Sequence, residues 1–66
     1  MEKTLMIIEC KPYGYSSWPV YIMVDKITDW HYIDYNGRPG TCIRTIDGKE
    51  ILVSDYPSDI ATKISG

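Results

Sequence analysis

Apolar residues in this chain fall into short runs, punctuated by glycine, proline, serine and aspartate. The run at 4–10, Thr-Leu-Met-Ile-Ile-Glu-Cys, reads as a first strand. Residues 11–18 hold Pro12, Gly14, two serines and the aromatics Tyr13, Tyr15 and Trp18, and read as a loop with adhesive side chains. A second strand is predicted over 19–24, with Val20, Ile22 and Val24 on one face and Tyr21 and Met23 on the other. A tight turn or bulge at 25–28 precedes a third strand at 30–35, and a loop follows at 36–40. The sharpest local signal comes next: strands at 41–46 and 49–54 flank Asp47-Gly48, a dipeptide suited to a two-residue hairpin turn. That turn sets Cys42 opposite Val53, Arg44 opposite Ile51 and Ile46 opposite Lys49, with Ile43 facing Leu52 and Thr45 facing Glu50. Neither hairpin face is purely polar, so both are expected to be partly covered. After it, Pro57 fits a first helical position, Asp59 suits the positive end of a helix, and Ile60 and Ile64 share a face. Two helical turns do not persist alone in water, so this helix must pack on the sheet or on a neighbour.

Composition agrees with strands. Of 66 residues ten are Ile, and Ile, Val and Thr together make eighteen, against two Leu, one Ala and no Gln. Branched side chains lose freedom in helices and suit pleated surfaces, which excludes a helical bundle. The length makes one domain, 1–66, and a chain this small buries only about 60% of the surface its unfolded form exposes. Its core must be dense, stapled or shared with another copy.

Seven basic and nine acidic residues leave a net charge of −2, which disfavours generic DNA binding. Cys10 and Cys42 read as buried thiols acting as small hydrophobes, although one bridge is arithmetically possible. A single His and no CxxC argue against a structural zinc site. The apolar stretch at 5–8 is too short for a signal peptide or a membrane span, so a cytoplasmic protein is expected.

The stretch from Thr41 through Asp47-Gly48-Lys49 to Tyr56, continued by Ile60 and Lys63-Ile64, resembles the small FlbD-type flagellar and swarming-motility proteins and the phage and Bacteroides-type proteins like them. Residues 20–27, Val-Tyr-Ile-Met-Val-Asp-Lys-Ile, fit the second-strand part of the same pattern, so the resemblance runs over 20–64. The chain departs from the pattern at Tyr56-Pro57, where a Ser cap and a charged residue usually stand, and in its longer, more aromatic 11–18 loop. The resemblance implies a compact non-catalytic module that acts by contact.

Catalytic parts are few. His31 is the sole histidine, both thiols fall in apolar strands where a thiol pKa rises, and no phosphate loop or nucleophile elbow is present. Asp29 shares a strand face with His31 and is placed to hydrogen-bond it. The aromatics stand out: six Tyr, two Trp and no Phe, so every ring carries a polar handle. Such rings suit sites where one edge is buried and the other meets a partner. Tyr13, Tyr15, Trp18, Trp30, His31, Tyr32, Tyr35, Arg38 and Arg44 are the candidate binding residues. Three readings compete: a subunit or partner interface; stacked rings with Arg38 or Arg44 holding a nucleotide or short single strand; and plain core filling, the expected role of Tyr21 and one Trp. The sequence predicts a small antiparallel β-barrel or curved sheet of about five strands, SH3-like, closed by a short C-terminal helix. Its expected role is a homo-oligomeric, non-catalytic binding or regulatory module of bacterial or phage type, with no catalytic residues, cofactor or metal, and no membrane partner.

Overall fold

A computed structural model describes residues 6–14 and 18–65 of the chain. Five strands and a helix follow in order: β1 (Ile7–Cys10), β2 (Val20–Met23), β3 (Ile27–Tyr35), β4 (Arg38–Thr45), β5 (Glu50–Val53) and α1 (Pro57–Ser65). A 3-10 turn over Val24–Lys26 links β2 to β3, and a bulge between Ile27 and Asp29 follows it, so the punctuation at 25–28 holds both devices. The strands make two antiparallel sheets, β1-β2 and β3-β4-β5, and do not close into one barrel. The sheets are tied where Pro12 bridges Val53 beside a Ser54 N–H to Lys11 carbonyl bond, while an Ile46 N–H to Lys26 carbonyl bond extends the β3-β4 ladder by one rung.

Both hairpins differ from the sequence expectation, for one reason. Residues 36–40 are not a loop. Only Asn36 and Gly37 turn, at φ 56° and 79°, and Tyr35 pairs with Arg38 across them. A two-residue turn with positive φ at both centres matches the twist of its strands. Pro39, without an N–H, falls in β4 opposite Asp34 and beyond the reach of β5, which pairs only with Thr41 to Arg44. In the second hairpin only Gly48 has positive φ, 84°, and Asp47 does not. The chain therefore turns over three residues, with Gly48 N–H bonded to the Thr45 carbonyl and Thr45 N–H to the Lys49 carbonyl. That geometry is a type I turn closed by a left-handed glycine. The register moves by one residue from expectation: Thr41 faces Val53, Cys42 faces Leu52, Ile43 faces Ile51 and Arg44 faces Glu50.

The corrected register decides the core. Thr41, Ile43 and Val53 share the inner face and are fully buried. With Ile8 and Cys10 of β1, Ile22 of β2 and Ile60 of α1 they fill the space between the two sheets and the helix. Gly40 to Ile43 are all buried although they alternate between faces, so both sides of β4 are covered in its middle. Helix α1 begins as predicted: the Asp59 carboxylate accepts the Tyr56 N–H at 3.2 Å, and Ile60 is fully buried with Ile64 packed beside it. Cys10 and Cys42 are buried and unbridged.

Candidate functional site

Pleating sorts the predicted site residues. Trp30 pairs with Ile43 and so projects inward, where its indole N–H donates to the Pro57 carbonyl at 3.2 Å and anchors α1. It is a structural residue. Tyr32, two positions on, reaches the sheet margin, half exposed; its ring meets Tyr56 edge-on at 6.4 Å and its hydroxyl donates to Asp34. The ring's loss of solvent and the neighbouring Asp34 carboxylate hold the Tyr32 phenol above its usual pKa.

The opposite parity is divided, with Ile33 buried opposite Gly40 and its neighbours toward the bulge exposed. His31 is exposed opposite Cys42, and Asp29 is bound elsewhere: its carboxylate accepts the Arg44 Nε–H at 3.0 Å, a half-exposed pair worth little in solvent. This corrects the expectation of an Asp29–His31 bond. Tyr35 lies next to Tyr13, ring centroids 6.2 Å apart and nearly perpendicular, and the Tyr13 hydroxyl donates to the Arg38 carbonyl at 2.7 Å. A side chain at Gly40 would stand 2.8 Å from the Tyr13 ring and 2.4 Å from the Val53 carbonyl, so glycine is what lets Tyr13 lie against β4. Tyr13, Tyr35 and Arg38, with Gly14 and Asn36, line an open cleft of about 510 Å³. Three predicted residues are thus gathered. Tyr32 forms a separate pair, Trp30 is turned inward and partly buried, His31 and Arg44 stand apart, and Trp18, two residues before β2, is 79% exposed. Tyr15 lies outside the described residues. Tyr21, expected to fill the core, is 63% exposed, because its neighbour Ile22 takes the inward position.

A second concavity was not anticipated. Between β1 and the C-terminal segment runs a groove of about 570 Å³, bordered by Ile7, Glu9, Pro19, Asp55 and Lys63. At its floor Asp55 is 8% exposed; its carboxylate accepts the Lys11 N–H at 2.6 Å and lies 3.7 Å from the Lys63 ammonium. The Thr41 hydroxyl, fully buried, donates to the Asp55 carbonyl at 2.6 Å. Burial first, and then the Asp55 charge, push the adjoining Cys10 thiol up to about 11, so it stays protonated near neutrality and is a poor nucleophile. Burial raises the Cys42 thiol as well. The outer face of β1-β2 carries Ile7, 58% exposed and paired with Met23, beside Tyr21. The continuous apolar run at 5–8 does not tell Ile7 from Ile8, and no side-chain pattern marks which strand edge stays open.

Among the described residues no group of three or more His, Cys, Asp or Glu is placed to hold a metal ion, and no helix is long and apolar enough to cross a membrane. No family model, curated protein or solved structure matches the chain.

Proposed function

We propose that this protein is a non-catalytic binding or regulatory module that acts by contact with copies of itself and with other proteins. One observation carries the reading. The described core holds eight buried hydrophobic residues, none larger than Ile, while Met6, Ile7, Trp18, Tyr21, Tyr32, Tyr35, Ile46 and Tyr56 are exposed. More large apolar side chains face outward than are buried, and large aromatic and aliphatic groups at a surface are what an association interface covers. Both thiols are buried and raised in pKa, which makes them poor nucleophiles, in keeping with the non-catalytic part. Two unbridged cysteines favour a reducing compartment, in keeping with a cytoplasmic module. The tie between the sheets at Pro12–Val53 supports an open, SH3-like roll, and the 20–64 resemblance supports a bacterial or phage origin. Size-exclusion chromatography with light scattering at micromolar concentration tests the reading: a multiple of the 7.6 kDa chain mass is expected, and a single mass throughout overturns it.

The Tyr13–Tyr35–Arg38 cleft favours a second reading, a nucleotide or short single strand stacked on the rings with Arg38 at its phosphate. On that reading a nucleotide at about a hundredfold above its Kd stabilises the fold by roughly 2.7 kcal/mol, and Tyr35→Ala removes the shift. A panel of nucleotides and cyclic dinucleotides that leaves the melting curve unmoved excludes it.

A further inference from the structure

The backbone of β1 specifies where a second copy binds. The Val24 N–H donates to the Met6 carbonyl at 2.9 Å, so Met6 and Val24 form a hydrogen-bonded pair. Hydrogen-bonded and open pairs alternate along an antiparallel ladder. Ile8 with Ile22 and Cys10 with Val20 are therefore bonded, while Ile7 and Glu9 turn their N–H and C=O groups away from β2. Lys11 has the same outward parity, but it is already engaged: its N–H goes to the Asp55 carboxylate and its carbonyl to the Ser54 N–H. Ile7 and Glu9 are left with outward backbone groups that meet no partner among the described residues, along the groove between β1 and Lys63.

Such an edge is a template for another strand, and β1 has neither proline nor bulge to blunt it. We propose that β1 pairs antiparallel with β1 of a second copy about a two-fold axis through Ile8, which rests on the self-association reading above. The register follows from what is free. Centring on Ile8 sets Ile7 opposite Glu9 of the second copy and Glu9 opposite its Ile7, so each pair exchanges both N–H···O bonds and every open group is used. Centring on Glu9 puts like charges face to face and calls on Lys11, which is occupied. The interface is isologous and closes on itself. It also gives the small sheet what it lacks. Four-residue β1 and β2 make a two-stranded sheet, marginal in water, and the pairing merges two of them into one four-stranded sheet whose outer face carries Ile7, Glu9, Tyr21 and Met23 of both copies.

The test is the solution mass of the wild type, Glu9→Pro and Glu9→Ala. Proline at position 9 removes an N–H that points away from β2, so the β1-β2 ladder stays whole while the pairing is lost. Wild type and Glu9→Ala are expected at twice the 7.6 kDa chain mass, and Glu9→Pro at the single mass with an unchanged circular dichroism spectrum. A wild-type dimer matched by an equally dimeric Glu9→Pro overturns the edge pairing and leaves self-association standing; a wild-type monomer overturns both. Hydrogen exchange on the wild type is independent of the proline variant's folding. The Ile7 and Glu9 amides are expected to be protected in the dimer and to lose protection on dilution. Free exchange of both amides in a dimer overturns the proposal.

Discussion

Asp55 and Thr41 show how single residues hold a short chain together. The Asp55 carboxylate ends β1 by taking the Lys11 N–H, and its carbonyl is held by the buried Thr41 hydroxyl, so one residue ties the N-terminal strand, β4 and the start of α1. Thr41→Val keeps the shape and leaves that carbonyl without its donor, which is expected to cost about 1–3 kcal/mol in urea denaturation. A loss below a few tenths contradicts the role. Cys10 makes a pH prediction. Its thiol is raised by burial from 9.0 to about 11, so the folded state holds the proton more tightly than the unfolded chain. Its contribution to stability is whole below pH 9, declines as pH rises between those two values, and is gone above them. Cys10→Ala is expected to show a shallower alkaline loss of stability than the wild type, and parallel curves refute it.

At the scale of elements, turn chemistry separated what the chain pattern reveals from what it hides. Strand runs, the 25–28 punctuation and the helix start at Pro57 were legible, because alternation, breakers and capping act locally. The two hairpins traded turn types. Both Asn36-Gly37 and Asp47-Gly48 are competent two-residue turns by composition, and only backbone angles tell them apart: Asn36 takes positive φ and Asp47 does not. Side-chain bonds accompany that choice at Asp47, since the Thr45 hydroxyl donates to its carboxylate and keeps it below its ordinary pKa. Gly48→Ala forces a side chain into the left-handed region and is expected to cost roughly 1–2 kcal/mol. Gly40→Ala meets fixed Val53 backbone as well as the Tyr13 ring, so its loss of melting temperature should exceed that of Gly48→Ala. The reverse order contradicts the packing of Tyr13 on β4.

For the whole molecule, the governing fact is an interior without Phe, Leu-poor and built from Ile, Val, Cys and Thr, beneath an unusually aromatic surface. The sequence marked the aromatics as adhesive, and Tyr13, Tyr35 and Arg38 do converge. It did not distinguish Trp30, turned inward by pairing with Ile43, from Tyr21, turned outward beside Ile22, because register sets face and register was set by the turns. The open β1 edge was invisible for a deeper reason: it consists of backbone groups that every residue shares. If stability is shared between copies, it must depend on mass action. The direct measurement is the thermal midpoint over about a hundredfold range of protein concentration. The account predicts a midpoint that climbs steadily with concentration, and a midpoint that stays fixed across the range contradicts it.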